Sequence, residues 1–336
     1  MCCLGVHGLD TEHPLSKYWP ADVHIIGKDI IWFHCVIWPS MLMSAKMTLP
    51  TSVFCHGFIN AADGRKMSKS FDNSVDPNEM LDLYPADSLR YYLTSSITYG
   101  ADLNLSASNM IQMHNSELAD VAGNLIHRVL TLCGKYCNNV VPDVQHDEKC
   151  GMPFDLTQLV QSTTDAMKGF ATHTCIHLAM EAVRSTNRWL TEAEPWKMKG
   201  ADEPRRVAVV RTALEALYAF THFLAPVVPQ AAHAIFSDRL NTAPVATTSL
   251  RGDFYNLAPG TKTRLGDILF TKIEDPSAPA PPTATSMEAA REAKKKAKAN
   301  KAAEVVTLDM NQPVLSRMDI RVGVIAKVWN HPTADR

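Results

Sequence analysis

Two lysines three residues apart stand in the stretch 63–70, which reads Asp-Gly-Arg-Lys-Met-Ser-Lys-Ser. Lys66 and Lys69 carry compact ammonium charges that suit phosphate oxygens, and two hydroxyls and a glycine lie beside them. The stretch follows an alternating apolar run at residues 53–59, which predicts a strand that enters an Asp-Gly turn. The pattern predicts a mobile loop that clamps a polyphosphate at a strand end. A solvated Lys/Ser turn is the structural alternative.

A shorter strand is predicted upstream, at residues 22–26, and it breaks at a turn that contains Gly27 and Asp29. Apolar residues crowd positions 30–47, which predicts a helix that Pro39 interrupts or kinks. Strand, turn, helix and strand form a βαβ-like unit, and open α/β sheets bind ligands at the carboxyl ends of such strands. Asp29 can equally cap the helix, so this residue alone does not specify a ligand.

The composition indicates a globular cytosolic chain. It has 336 residues, of which 46% are hydrophobic and 20% charged, enough for two or three domains that each have a core. No run approaches the roughly 18 apolar residues of a membrane span, so we expect a cytoplasmic location and no membrane partner. The net charge of -2 gives no global attraction to nucleic acid, so a surface for a polyanion must be local.

Eight cysteines are scattered through apolar segments, which is typical of reduced core thiols rather than of a disulfide framework. Cys133 and Cys137 are four residues apart on a predicted helix, and His173 and His177 have the same spacing. Such spacing can place two metal ligands on one helix face. Neither pair has a convincing third and fourth ligand in the sequence, so we expect no metal site, a zinc site included.

The chain from residue 76 onwards predicts mainly helices. An Asp-Pro start predicts a short helix at residues 76–83, and a second short helix is predicted to begin at residue 85. A long amphipathic pattern follows at residues 109–136. Three further helices are predicted near residues 156–191, 204–224 and 226–240. Their short connections predict antiparallel neighbours and therefore a helix bundle.

Two features of this bundle can contact RNA. Asn124 and Arg128 lie four residues apart on one helix face, so an amide and a guanidinium project together for base-edge hydrogen bonds and phosphate contact. Pro195 and Trp196 place an indole beside a rigid turn, which suits stacking on an unpaired base. Each feature alone has a structural alternative, a solvated polar pair or a core tryptophan. We assign Trp189 to the core.

The signature Lys-Met-Ser-Lys-Ser resembles the second motif of class I aminoacyl-tRNA synthetases. Together with His-Ile-Ile-Gly-Lys-Asp-Ile at residues 24–30, Phe-His at 33–34, Trp-Pro at 38–39 and Ala-Asp-Ser-Leu-Arg-Tyr-Tyr at 86–92, it is similar to methionyl-tRNA synthetases in order and spacing. Other class I enzymes, such as the cysteinyl, valyl and leucyl ones, share only parts of this set. The resemblance implies an α/β remnant of a Rossmann-like catalytic domain, then a mainly α-helical anticodon-binding bundle.

The resemblance implies ATP-dependent activation of methionine and its transfer to tRNA(Met). The methionine carboxylate attacks the α-phosphate of ATP, and cations stabilise the charge that grows on pyrophosphate. Lys66 and Lys69 would be the catalytic pair, with Lys69 the more important, and Mg²⁺ would bridge the phosphates. The ATP-binding residues implied are Gly27, Asp29, His56, Ile59, Lys66 and Lys69. The methionine-binding residues implied are Ile30 and His34. The residues implied to meet the CAU anticodon are Asn124, Arg128, Pro195 and Trp196.

The resemblance also implies a domain order. The catalytic domain would occupy residues 1–100, the anticodon-binding domain 101–255, a linker with a basic Ala/Lys-rich helix 256–305, and the start of an OB-fold tRNA-binding domain 306–336. In the family, a full-length OB-fold domain of this kind allows dimerisation or complex formation.

One departure from the family concerns the first class I motif. No His-Ile-Gly-His-like sequence precedes the strand at residues 22–26, and the cysteine knuckles that bind zinc in many methionyl enzymes are missing. We therefore expect the C-terminal portion of a methionine–tRNA ligase, inactive by itself because half of the ATP site is lacking. The alternative is a non-catalytic tRNA-binding protein that keeps the bundle and the basic linker.

Overall fold

The computed structural model describes residues 18–68, 73–147 and 149–275. The chain divides into two compact units, Met1–Pro276 and Ser277–Arg336. Lys69 and the sequence of the second unit lie outside the described residues. The predicted OB-fold start at 306–336 and most of the predicted linker are therefore not described, and the bounds of the four domains stay predictions.

The predicted βαβ-like unit is confirmed near the N-terminus. Strand β1, His24–Gly27, pairs in parallel with strand β2, Val53–His56. Three helical pieces connect them: a 3-10 turn Lys28–Ile30, a π-helical segment Phe33–Ile37 and helix α1, Trp38–Ser44. Because both strands run the same way, their carboxyl ends meet at one edge of the sheet.

Pro39 does not end the predicted helix. The Trp38 N–H donates to the carbonyl of Phe33, five residues earlier, so the turn before the proline is a wide π turn. Proline has no N–H, and in an ordinary α turn its ring clashes with the carbonyl four residues before it. The wide turn relieves that clash, and helix α1 continues through Pro39.

The single strand predicted at residues 53–59 is wrong in one respect, since it divides at Gly57. A Cβ on Gly57 would lie only 1.9 Å from the carbonyl oxygen of Ala101, so another segment of backbone crosses the strand there. Beyond the crossing, strand β3, Ile59–Asn60, pairs in parallel with strand β4, Leu103–Asn104. The signature loop therefore follows β3 rather than β2.

Two short helices follow the signature loop, as predicted. Helix α2, Pro77–Leu83, begins after Asp76, whose carboxylate accepts a backbone N–H of the first turn. Helix α3 is Ala86–Ser96. Its Arg90 donates a 2.7 Å hydrogen bond to the carbonyl of Pro226, which makes this arginine a packing residue.

The remaining helices form the predicted bundle. They are α4, Ala107–Met113, a π-helical segment His114–Gly123, α5, Asn124–Cys137, α6, Leu156–Lys168, α7, Thr172–Ala193, α8, Glu203–Leu224, and α9, Pro229–His233 with a π-helical extension Ala234–Arg239. The single helix predicted at 156–191 is wrong, because Gly169 and Phe170 separate α6 from α7. The φ of Phe170 is +55°, which no α-helix accommodates.

Helix α8 is the centre of the bundle. Every residue from 208 to 224 is buried, and the helix packs on α5 and α7. The stretch Gly200–Leu224 is long and apolar enough to cross a membrane, but 94% of its apolar window is buried inside the protein. Core packing therefore accounts for its composition.

Helix α8 also buries an ion pair. Arg211 and Glu215 have side chains that are 1% and 0% exposed, and they meet at 2.7 Å. Glu215 accepts the backbone N–H groups of Asn256 and Leu257, both at 2.8 Å. Residues 256–275, the start of the predicted linker, therefore pack on the bundle, and Leu257 and Phe270 belong to its core.

Candidate functional site

Three residues predicted to bind ATP meet at the carboxyl ends of β1 and β2. A Cβ on Gly27 would lie 2.6 Å from Oδ1 of Asp29 and 3.6 Å from Cε1 of His56. Any side chain at position 27 would collide with the Asp29 carboxylate, so glycine is needed there for Asp29 to lie where it does. His56 Nδ1 lies 3.0 Å from the carbonyl of Gly57 and donates to it, so Nε2 is the acceptor that the ring can offer to a ligand.

The signature loop begins with the predicted Asp-Gly turn. The Ala61 N–H donates to Arg65 O at 2.9 Å, and Gly64 has a φ of +82°, a conformation that favours glycine. Asp63 forms an exposed ion pair with Arg65 at 2.6 Å. The turn is confirmed, and it directs the chain back along β3.

Asn73 forms hydrogen bonds with the backbone of the Lys-Met-Ser part of the signature, beyond the turn. Its Oδ1 accepts the Ser68 N–H at 2.9 Å, and its Nδ2 donates to the carbonyl of Lys66 at 3.3 Å. Lys66 itself is exposed. Lys69, the lysine that we expect to contribute more, lies outside the described residues.

Lys66 shares an aromatic ring with a second cation that sequence reasoning missed. Its Nζ lies 4.7 Å from the centroid of the Phe58 ring, and Nζ of Lys28 lies 4.8 Å from the same centroid. Lys28 also forms a 2.5 Å ion pair with Asp102, which accepts the Phe58 N–H at 2.8 Å. The hydrogen bond from Lys28 holds the pKa of Asp102 below its usual range, and the hydrogen bond from the Phe58 N–H lowers it further.

These charges make the sheet edge suitable for a polyphosphate. Two ammonium groups and the Asp102 carboxylate surround Phe58, so this cluster carries one net positive charge before the neighbouring Asp29 carboxylate is counted. Lysine ammonium groups bind phosphate oxygens as point charges. Lys28 could have been found from sequence, since it stands between Gly27 and Asp29, whereas Asp102 is 74 residues away and has no local signal.

The residues predicted to bind methionine lie on the helical pieces after β1. His34 Nδ1 is 3.0 Å from the carbonyl of Ile30, and the His34 ring meets Trp38 edge to face at 5.8 Å. Trp38 also contacts His24, at 5.0 Å. This aromatic wall suits a polarizable thioether. Ile30 and Ile59, the latter predicted to contact adenosine, are exposed.

A second group of predicted residues converges in the bundle. The guanidinium carbon of Arg128 lies 4.6 Å from the centroid of the Trp196 ring, and Arg128 Nη1 donates to the Thr191 hydroxyl at 3.2 Å. Burial lowers the pKa of this guanidinium, which remains charged near neutral pH. Thr191 was missed, because it stands 63 residues from Arg128 in the sequence and only the tertiary structure brings the two side chains together.

The other members of this group flank the stacked pair. Asn124 is exposed one turn before Arg128, and its amide donates to the carbonyl of Asp120 at 3.0 Å. Pro195 is buried in the turn that ends α7, so it orients Trp196. Trp189 is buried as predicted and donates to the carbonyl of Cys150 at 2.8 Å.

The paired cysteines and histidines have structural contacts. Across the described ranges no group of three His, Cys, Asp or Glu side chains is arranged to hold a metal ion. The Cys133 thiol lies 3.3 Å from the Thr263 hydroxyl. The rings of His173 and His177 meet edge to face at 6.2 Å.

Comparisons with known protein families match both halves of the chain. A family model for class I tRNA synthetases (M) matches residues 6–130. A second family model, for the anticodon binding domain of methionyl tRNA ligase, matches residues 146–281. The two models together include the sheet edge with Lys66 and the turn with Trp196.

Curated relatives and solved structures agree with those matches. A methionine–tRNA ligase of Thermosynechococcus vestitus is 37% identical over 66% of this chain and 42% of its own length. A methionine–tRNA ligase of Caldanaerobacter subterraneus is 34% identical over 79% of this chain and 42% of its own length. The chain therefore spans less than half the length of these two relatives.

Among solved structures, apo methionyl-tRNA synthetase of Mycobacterium tuberculosis has a TM-score of 0.69 at 27% identity, covering 82% of this chain and 54% of that one. The same synthetase bound by methionyl-adenylate has a TM-score of 0.67 at 30% identity, covering 78% and 52%. The predicted fold class, a class I catalytic remnant followed by a helical anticodon-binding domain, is confirmed.

Proposed function

Because this chain belongs to the methionyl-tRNA synthetase family of class I aminoacyl-tRNA synthetases, we propose that it supplies the signature-loop side of an ATP site and the anticodon-binding bundle of a cytoplasmic methionine–tRNA ligase. The observation that carries this proposal is the stacking of Arg128 of α5 on Trp196, which lies in the turn after α7, with Asn124 exposed one helical turn before Arg128.

At the sheet edge, the proposed chemistry is adenylate formation. The methionine carboxylate attacks the α-phosphate of ATP, and Lys66, Lys69 and Lys28 stabilise the charge that develops on pyrophosphate. Mg²⁺ would arrive bound to the phosphates of ATP, since the described residues present no carboxylate cluster to hold it. Asp29 and His56 would orient the adenosine, and Ile30 and His34 the methionine side chain. The terminal ribose hydroxyl of tRNA(Met) then takes the methionyl group, and AMP leaves.

In the bundle, the proposed role is recognition of the anticodon. Trp196 offers a face on which an unpaired base stacks, and Arg128 is partly buried against that ring. One N–H of the Asn124 amide donates to Asp120, and its second N–H and its oxygen can form hydrogen bonds with the edge of a base. Sequence-specific RNA recognition commonly combines stacking with hydrogen bonds to splayed bases, and this cluster presents both.

The test is binding of the 336-residue chain to an RNA hairpin that carries the CAU anticodon loop. Trp196→Ala should weaken binding about 5- to 150-fold, because stacking of one base on an aromatic ring contributes about 1–3 kcal/mol. Trp32→Ala is the matched control, since Trp32 is 63% exposed and lies on the catalytic side. Equal affinities for Trp196→Ala and wild type, or for CAU and a changed anticodon, would contradict the proposal.

Pyrophosphate exchange tests whether this chain by itself carries a complete active site. We propose that this chain alone gives no exchange with methionine and ATP, because Ile30, Asp29, His56 and Lys66 all face solvent and a water-filled site cannot stabilise charge strongly. Exchange above background that is lost in Lys66→Ala would overturn this expectation and favour a complete active site.

A further inference from the structure

The Asp102 carboxylate is held in place at the sheet edge by backbone hydrogen bonds. Its Oδ1 accepts the Phe58 N–H at 2.8 Å. The Leu103 N–H donates to the Phe58 carbonyl, and the Leu105 N–H donates to the Asn60 carbonyl, both at 2.9 Å. These bonds tie residues 102–105 to β3 and to the residue before it, so the carboxylate has a fixed position.

Lys28 reaches the same carboxylate oxygen from the end of β1. Its Nζ lies 2.5 Å from Asp102 Oδ1, and the two side chains are 34% and 36% exposed. A lysine carries its ammonium on a flexible four-carbon stem, and the ammonium has three donors. Because solvent reaches this ion pair and its lysine is flexible, the ammonium can move to another acceptor at little loss of free energy.

The ammonium groups of Lys28 and Lys66 meet at one aromatic ring. They lie 4.8 Å and 4.7 Å from the centroid of Phe58. The two charges are therefore within about 10 Å of each other, which is close enough for them to repel at moderate salt. Asp102 offsets this repulsion through its pair with Lys28. A phosphate group that binds both ammonium groups would offset it in the same way.

We propose that Asp102 is a positioning residue of the phosphate site, which binds Lys28 before nucleotide arrives and releases its ammonium to the phosphates. This inference rests on the proposed ATP site, in which Asp102 has no part. The carboxylate keeps Lys28 beside Phe58, and it also competes with the phosphates for the ammonium. Competition predicts that removal of the Asp102 charge raises the affinity for phosphates, whereas a residue that only supports the fold would leave that affinity unchanged or lower it.

The experiment measures the dissociation constant of inorganic pyrophosphate for the full chain by isothermal titration calorimetry at neutral pH. Asp102→Asn keeps an oxygen that accepts the Phe58 N–H and removes the charge. We expect it to bind pyrophosphate about two- to fivefold more tightly, the size of one exposed ion pair, and Asp102→Ser should do the same. Lys28→Ala should weaken binding. Asp165→Asn, at an exposed carboxylate of α6 that pairs with Lys168 at 3.0 Å, is the matched control and should bind like wild type.

A double-mutant cycle separates competition for Lys28 from a general effect of charge. In the Lys28→Ala background the gain from Asp102→Asn should largely disappear, because the ammonium that it releases is gone. An equal gain in both backgrounds, or no gain in Asp102→Asn and Asp102→Ser, overturns this inference while Lys66→Ala still weakens binding. If wild type does not bind pyrophosphate, or if neither lysine variant weakens binding, the proposed phosphate site fails and this inference fails with it. Urea unfolding curves check that the variants fold.

Discussion

Two apolar helical stretches of this chain meet very different surroundings. In α8, all residues from 208 to 224 are buried. In the helical run at 28–44 beside the sheet, Leu42 is the one buried residue. Its exposed large apolar side chains are Ile30, Ile31, Trp32, Phe33, Val36, Ile37, Met41 and Met43. Because both stretches are rich in apolar residues, the difference in burial comes from the segments that pack around each of them.

The bundle buries the apolar side chains of α8, whereas the catalytic side leaves those of the helical run at 28–44 exposed. Helix α8 is covered by α5 and α7 on its sides and by residues 256–257 at the Arg211–Glu215 pair. The helical run at 28–44 packs beside a two-stranded sheet, which offers too little surface to cover it. Exposed apolar surface of this kind occurs at interaction surfaces and at ligand-binding grooves.

The largest expected effect comes from breaking the buried pair in α8. Arg211→Ala leaves Glu215 buried without its cation, and burial already raises the pKa of that carboxyl. We expect the free energy of unfolding to fall by about 3–5 kcal/mol in urea denaturation. The control is Arg188→Ala, whose side chain is 65% exposed, with a change within about 0.5 kcal/mol. Similar losses in both variants would mean that burial does not distinguish the two arginines.

A direct test of the two helical stretches uses one truncation in each. Leu217→Ala removes a fully buried side chain of α8 and should cost about 2–5 kcal/mol. Met41→Ala, at a side chain that is 64% exposed, should change stability by less than about 0.5 kcal/mol. Thermal and urea unfolding of the full chain measure both. A loss at Met41 as large as that at Leu217 would show that the helical run is covered in solution.

The smallest expected effect is a pH dependence of the bundle. His222 is buried, Nδ1 donates to the Tyr218 carbonyl at 2.8 Å, and Nε2 accepts the Val245 N–H at 3.1 Å. Burial lowers the pKa of this imidazole below its usual value of 6.5. As pH falls through 6.5 the unfolded chain binds the proton first, so stability falls toward acid by up to about 1.4 kcal/mol per pH unit.

The variant for this prediction is His222→Gln, an amide that can donate and accept in the same place. Unfolding measured between pH 7.5 and about 5 should show a flatter profile than wild type. His233→Gln, at an exposed histidine of α9, should keep the wild-type profile. An unchanged slope in His222→Gln would assign the acid sensitivity to other groups.

Sequence reasoning was accurate where neighbours along the chain decide the structure. The start of α2 after Asp76 and the turn at Gly64 follow from capping and from a positive φ. Reasoning failed where distant segments meet. Ala101 divides a predicted strand at Gly57, and Asp102 pairs with Lys28, because these contacts depend on a chain crossing that leaves no local pattern.

The sequence by itself determined the chemistry that the chain carries: the lysines of the signature, the amide and guanidinium of α5, and the indole of Trp196. Side-chain chemistry and helical spacing are local properties, so they can be read without coordinates. Only the tertiary structure decided that Arg128 stacks on Trp196 and that Lys28 and Lys66 share the Phe58 ring. Those arrangements depend on which segments pack together, and burial, unlike spacing, is a property of the whole fold.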